Sequence, residues 1–134
     1  MANLSVDLSH FPLVILTLDG PQDAEDAKVY TDAIDEVLAR QQPYAVLHRI
    51  NQFGSSLAAA RIIATWSLKN TKALRQYCLG GAVIVQSETF RFLLSSFQLI
   101  TPLPAPVELV KTEEAGLLWI HQKFAERGVR FAGI

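Results

Sequence analysis

The side chains that most often carry catalysis or bind metals are few in this sequence and poorly spaced. The three histidines, His10, His48 and His121, lie far apart, so no pair has the spacing of a zinc site, and Cys78 is the single cysteine. The nucleophile elbow G-x-S-x-G, the phosphate-binding P-loop and the dinucleotide-binding G-x-G-x-x-G are absent. We therefore expect no metal, no cofactor and no enzymatic activity. An enzyme that uses His48 as a base is the least favoured alternative, because no carboxylate that could orient it is visible.

A group of polar residues follows a short buried strand predicted at Tyr44–Leu47. These residues are His48, Arg49, Asn51, Ser55 and Ser56. In parallel α/β sheets, ligands and partners bind at the carboxyl ends of strands, so this group is the candidate binding site. Ser55 or Ser56 would cap the next helix, where free N–H groups and the helix dipole favour an anion or a phosphoryl group. Both serines are therefore candidate phosphorylation sites, although an ordinary helix cap explains them as well.

Charge is segregated along the chain. Residues 1–40 carry eight acidic and two basic side chains, a balance of −6, whereas residues 41–91 carry one acidic and six basic side chains, a balance of +5. On the predicted second helix, four cations fall within about a third of the circumference: Arg61, Lys69, Lys72 and Arg75. On the first helix, Glu25, Asp32 and Glu36 share a face. These helices present either ordinary solvated faces or a bipolar surface that binds a protein partner or another copy of the chain.

The segment from Phe90 to Ile100 is apolar on two sides of a predicted helix. One stripe consists of Phe90, Leu93, Leu94 and Phe97, and the other side of Phe92 and Leu99. A helix that is apolar on two sides is buried in the core or covered by something else. Core packing is favoured; the alternatives are a homodimer surface and a binding site for a lipid or another small apolar ligand.

Hydrophobic periodicity and turn residues predict strands alternating with helices. Strands are predicted at residues 4–8, 11–18, 44–47, 82–85 and 107–110, and helices at 24–39, 57–79, 88–99 and 112–126. The second helix is expected to loosen around Asn70-Thr71 and to end at Gly80-Gly81. Thr101–Pro106, with three prolines, cannot be helical. The pattern predicts one α/β domain over residues 1–134, with a mixed, mostly parallel sheet of about five strands and four helices. An opening hairpin would supply the antiparallel edge.

Length, composition and charge argue against several classes of function. The 134 residues are 50% hydrophobic, and the formal net charge is −1. This near-neutral balance argues against sequence-independent nucleic-acid binding. The sequence has neither the ~18 uninterrupted apolar residues of a membrane span nor the basic start of a signal peptide. We therefore expect a cytoplasmic protein without a membrane span.

Five groups of residues, taken in chain order, carry a family resemblance. They are Phe11–Gly20, Tyr44–Leu47, Arg61–Trp66 with Lys69-Asn70 and Leu74-Arg75, Gly80–Val85, and Thr112–Ala115 with Trp119-Ile120. Together they resemble SpoIIAA-like proteins of the STAS/CRAL-TRIO type. The resemblance extends from about Phe11 to Phe124, and its specificity comes from the joint order of the segments.

The resemblance implies a small cytoplasmic bacterial regulatory or binding module and not an enzyme. In STAS anti-sigma antagonists, a serine beside an Asp at the start of the corresponding helix is phosphorylated by a partner kinase, which switches binding off. The matching stretch, Gly54–Leu57, has Ser55-Ser56 but lacks the preceding Asp and the following Gly. His48 replaces an acid that such relatives often carry near the strand end. We predict a module that recognises a protein partner through the start and the basic face of the second helix, with serine phosphorylation as a candidate switch.

Overall fold

The computed structural model describes residues 3–52, 54–92 and 104–131. The strands are β1 (Leu4–Asp7), β2 (Leu13–Asp19), β3 (Tyr44–Gln52), β4 (Cys78–Ile84) and β5 (Val107–Val110). The helices are α1 (Ala24–Ala39), α2 (Leu57–Lys69), α3 (Thr71–Tyr77), α4 (residues 88–92) and α5 (Glu113–Glu126). Strands and helices alternate as the hydrophobic pattern predicts.

The five strands form one sheet in the order β1-β2-β3-β4-β5. β1 pairs antiparallel with β2, and the three other pairings are parallel. The predicted opening hairpin is therefore the antiparallel edge of a mostly parallel sheet. The expectation of a mixed α/β fold is confirmed.

The sheet is covered on both faces. On one face, apolar residues of β2 and β3 pack against Ile34, Val37 and Leu38 of α1 and Leu74 of α3. On the other face, residues of β2, β3 and β4 pack against α5. α2 packs mainly against α1 and has little contact with the sheet. α2 is therefore the most peripheral of the long helices that the structure describes.

Local hydrogen bonds fix the start of α1 where the sequence predicts it. The Asp23 carboxylate accepts from the Asp26 N–H at 2.9 Å, and the Asp26 carboxylate accepts from the Asp23 N–H at 3.1 Å. This reciprocal cap satisfies donors that the first helical turn leaves free. Asp26 also accepts from the Asn3 N–H at 3.0 Å, which ties the helix start to the chain just before β1.

β3 is longer than the sequence predicts. Its pairing with β2 continues through Ile50 and, after a register shift, joins Asp19 to Gln52. His48, Arg49 and Asn51 consequently lie within the strand, so the prediction that the strand ends at Leu47 was wrong. The physical reason is that β2 continues to Asp19 and supplies backbone partners beyond the apolar run, so polar side chains do not end the ladder.

The predicted second helix is two helices, so the described residues contain five helices where the sequence predicts four. Asn70 donates from its side chain to the Trp66 carbonyl at 2.9 Å, and Thr71 Oγ1 donates to the Ser67 carbonyl at 2.9 Å. Such bonds to the preceding turn bend helices, and Asn70 has left helical geometry at φ −109° and ψ 13°. The expected loosening at this point is therefore a full break.

The end of that helix was also predicted too late. α3 ends at Tyr77 and β4 begins at Cys78, so Gly80-Gly81 belong to a strand and do not terminate a helix. A Cβ on Gly80 would lie 2.6 Å from the Trp119 ring, and one on Gly81 would lie 2.9 Å from His48 Nε2. Both glycines are needed because side chains close over the strand.

The predicted helix at 88–99 is described only in part. Residues 88–92 are helical, and the Phe90 N–H donates to Ser87 Oγ at 3.2 Å, as expected of a serine cap. Leu93, Leu94, Phe97, Leu99 and Ile100 lie outside the described residues, as does the first part of the Thr101–Pro106 segment.

Candidate functional site

The extended β3 separates the predicted site residues between the two faces of the sheet. Alternation along the strand places His48 with Tyr44 and Val46, on the face covered by α1 and α3. Arg49 points to the opposite face, where its Nε and Nη2 contact Oε1 of Glu113 at the start of α5. His48 and Arg49 therefore cannot act on one ligand from the same side.

His48 is a packed side chain within the sheet. Its imidazole is partly buried above Gly81, and burial lowers the pKa of His48 from 6.5 to about 4. The imidazole is consequently neutral at pH 7. Within the described ranges no carboxylate forms a hydrogen bond or ion pair with it. The sequence predicts His48 after the end of this strand, whereas the structure places it inside β3.

A cavity of about 890 Å³ opens at the carboxyl ends of β3 and β4. It is lined by Arg49, Ile50, Asn51, Gln52, Ile84, Val85, Gln86, Ser87, Phe90, Thr112 and Glu113. Two predicted site residues, Arg49 and Asn51, thus lie at a cavity, and Asn51 also donates to the Asp19 carboxylate at 2.5 Å. The position is the one where parallel α/β sheets commonly bind ligands. His48, Ser55 and Ser56 do not line it.

Ser87, Thr112 and Phe90 line the cavity but are not among the predicted site residues. For the first two, the sequence contains a signal. Ser87 lies three residues after β4 and Thr112 two residues after β5, and they cap α4 and α5. Ligands bind at the carboxyl ends of parallel strands, and this rule applies equally to the strands predicted at 82–85 and 107–110. It identifies Ser87 and Thr112 as site candidates. Phe90 had been assigned to an apolar stripe, and the structure places it on the cavity wall.

Ser55 and Ser56 lie at the start of α2 and are both exposed. Ser56 is the N-cap, because its Oγ accepts from the Ala59 N–H at 3.0 Å. Ser55 Oγ makes a longer contact, 3.2 Å, with the Ser56 carbonyl. The backbone of this turn is held by Gln22, whose N–H donates to Gly54 O at 3.0 Å and whose carbonyl accepts from the Ser56 N–H at 2.8 Å. The helix start is thus a fixed, solvent-facing turn.

α2 exposes apolar side chains to an unusual degree. Of its thirteen residues only Ala59 is buried. Leu57 is 68% exposed and Leu68 is 79% exposed, and Ile62 is 37% exposed. An amphipathic helix normally turns such residues toward the core. Apolar side chains gathered on one exposed helix commonly mark an interaction surface.

The four cations predicted on the second helix are all exposed around this apolar surface. Arg61 and Lys69 are exposed on α2, and Lys72 and Arg75 are exposed on α3. None of the four forms an ion pair with a residue in the described part of the chain. The break at Asn70 means that they are carried by two helices, so the single basic stripe expected from one helical wheel was wrong.

A groove of about 390 Å³ separates α1 from α2. Its walls are Thr31 of α1 and Arg61, Ile62, Thr65, Trp66 and Lys69 of α2. Trp66 anchors the two helices: its Nε1 donates to the Asp35 carboxylate at 2.8 Å, and its ring meets Tyr30 edge-on at 5.8 Å. The groove is therefore a surface between two helices joined through Trp66, with Arg61 and Lys69 on the α2 side.

Cys78 behaves as a small hydrophobic side chain. It opens β4 and packs against the core shared with α1. Burial raises the pKa of its thiol, which keeps it protonated and poorly nucleophilic. Among the described residues there is no cluster of His, Cys, Asp and Glu that could hold a metal ion, and no helix combines the length and apolar character needed to cross a bilayer.

Comparison with known proteins finds likeness only at the level of structure. No family model matches the sequence, and no curated protein matches it. An uncharacterized protein of the DUF3478 family with a SpoIIAA-like fold, from Shewanella loihica PV-4, aligns with a TM-score of 0.64 at 19% identity. The alignment covers 87% of this chain and 91% of that one.

A second solved structure is more distant. An anti-sigma factor antagonist from Mycobacterium paratuberculosis aligns with a TM-score of 0.48 at 17% identity, over 88% of this chain and 92% of that one. The fold assignment rests on the Shewanella protein, whose strands and helices this chain reproduces over most of both lengths. The chain therefore has a SpoIIAA-like fold.

Proposed function

We propose that this protein is a non-enzymatic regulatory module of the STAS type that binds a protein partner through α2 and α3. The observation that carries the proposal is the exposed surface of α2, on which Leu57 and Leu68 lie beside cations that have no ion pair within the described residues. Apolar anchors surrounded by charge are the usual composition of a recognition surface. A second copy of the chain is one partner that this surface suits.

Serine phosphorylation is a candidate switch for this module. Both serines are exposed at the start of α2, and Ser55 is the better acceptor because Ser56 Oγ already caps the helix. A phosphoryl group on Ser55 would add about two negative charges beside a basic surface. Intact-mass analysis of protein from its native host should show an added phosphate that the Ser55→Ala variant loses. A uniformly unmodified wild-type mass under all growth conditions would contradict the switch.

Charge reversal tests the binding surface itself. The double variant Lys69→Glu/Lys72→Glu reverses two charges on the proposed surface, so capture of the partner from native lysate should fall at least tenfold, most strongly at low salt. The matched control is Arg127→Glu/Arg130→Glu, which changes net charge equally at exposed positions after α5. Equal capture by the two variants would refute the proposed surface.

The cavity at the ends of β3 and β4 supports a second candidate function, the binding of a lipid or another small, partly apolar molecule. Its volume of about 890 Å³ is within the usual range of ligand pockets, and Ile50, Ile84 and Phe90 supply apolar walls beside the Arg49–Glu113 ion pair. Apolar walls with a few polar groups suit an amphipathic ligand.

Native mass spectrometry distinguishes this candidate. Protein purified from cells should carry an added mass that disappears on denaturation. Phe90→Ala should lower its occupancy, whereas Phe92→Ala, at a residue that is 71% exposed and does not line the cavity, should not. A clean apo mass, or equal loss in both variants, would contradict the second candidate.

A further inference from the structure

The outer surface formed by α1 and α2 carries both signs of charge side by side. On α1, Glu25, Asp32 and Glu36 project away from the sheet, opposite the buried Ile34 and Leu38. On α2, Arg61 and Lys69 border the groove on its other side. The surface made by these five charged residues is called the bipolar face below.

A wholly acidic partner does not match the bipolar face as a whole. It would be attracted by Arg61 and Lys69, but the α1 carboxylates beside them would repel it. The matching partner carries an acidic and a basic helix side by side. The chain itself has that arrangement.

We propose that the bipolar face binds a second copy of this chain around a two-fold axis that runs along the groove between α1 and α2. Such a rotation exchanges the two sides of the groove, so α1 of one protomer lies on α2 of its partner and the reverse contact forms at the same time. The acidic residues of each α1 then face the basic residues of the partner's α2, so the contact between opposite charges forms twice. This is the self-complementarity that an isologous interface requires.

The side chains needed for the contact are available. Asp32 and Glu36 form ion pairs with Lys28 and Arg40 at 3.4 and 3.5 Å, but the carboxylate side chains are 62% and 63% exposed. Exposed pairs of this kind are weak and exchange partners readily. Arg61 and Lys69 have no ion pair within the described residues. Each cation would therefore gain a partner on association.

Association would also cover the apolar residues of the same surface. Leu57 and Leu68 on α2 lie on its outer side, and Val29 on α1, 42% exposed, shares the acidic side of its helix. Burial of these side chains adds a hydrophobic contribution to the charge pairing. Because the dimer covers α2, it would compete with any other protein for that helix. The proposal rests on the charge arrangement and needs no other partner to exist.

Sedimentation of the purified chain tests the proposal. Wild type should sediment as a dimer at low salt and high micromolar concentration, and shift toward monomer in about 1 M salt, where the screening length is roughly 3 Å. Arg61→Glu/Lys69→Glu leaves both helices acidic, and Asp32→Lys/Glu36→Lys leaves both basic, so each variant alone should be monomeric. An equimolar mixture of the two should form a dimer, because every contact is again between opposite charges.

Control variants and a folding measurement accompany this experiment. Arg127→Glu/Arg130→Glu should sediment like wild type. Circular dichroism should show native helix content in every variant, and Arg61→Gln/Lys69→Gln replaces the glutamate pair if that pair does not fold. A monomeric wild type, dimers of either single-sided variant, or a mixture that stays monomeric would each overturn the proposal.

Discussion

The partly buried imidazole of His48 makes the stability of the protein depend on pH. Its pKa is about 4 in the folded chain and about 6.5 when the chain is unfolded, so between these values only the unfolded state binds the proton. This contribution to stability is complete above pH 6.5, falls as the pH drops, and levels off below about pH 4. By linkage, the loss reaches at most about 3 kcal/mol.

Chemical denaturation at a series of pH values checks this expectation. Carboxylates also titrate at low pH, so the informative quantity is the difference between wild type and His48→Gln. The difference should change across the window from pH 6.5 to 4. Parallel pH profiles for wild type and His48→Gln would show that the imidazole is not held neutral by burial.

The two adjacent serines have separable roles at the start of α2. Ser56→Ala removes the acceptor of the Ala59 N–H and should lower the free energy of unfolding by about 1 kcal/mol. Ser55→Ala removes only a contact with the neighbouring carbonyl and should change it by less than about 0.5 kcal/mol. Urea denaturation measures both. A larger loss of stability for Ser55→Ala than for Ser56→Ala would show that Ser55, not Ser56, caps the helix.

At the scale of elements, local signals predict α1 and fail for β3. α1 has the bounds expected from its sequence because Asp23, Asp26 and the apolar stripe act within the helix itself. β3 extends beyond its apolar run because β2 supplies partners as far as Asp19, which no local pattern reveals. The difference matters for the site, because successive side chains of a strand alternate between its faces, and His48 and Arg49 therefore lie on opposite faces of the sheet.

The second helix shows the same division between local and tertiary causes. Asn70 and Thr71 are visible in the sequence as poor helix formers, and the break occurs there. The start of β4 at Cys78 was not predictable, because Gly80-Gly81 is a common helix terminator. Only the positions of Trp119 and His48 above the strand show why these glycines lie inside it.

At the scale of the whole molecule, the predicted site residues lie in three separate places. Arg49 and Asn51 lie at the cavity, His48 is partly buried on the other face of the sheet, and the serines begin α2. The segregation of charge along the chain is a property of the sequence itself. The sequence could not show that α2 lies on α1 with its apolar side exposed, since that depends on how the layers pack. A cytoplasmic location stays a prediction.

The central claim is that α2 is a binding surface, and site-specific photo-crosslinking in the native host tests it most directly. Benzoylphenylalanine replaces Ala64, at the exposed centre of α2, or Gln122, exposed on α5 on the opposite side of the sheet. We expect a discrete crosslinked adduct from position 64 that Lys69→Glu/Lys72→Glu suppresses, and none from position 122. No adduct at position 64, or equal adducts at both positions, would contradict the account.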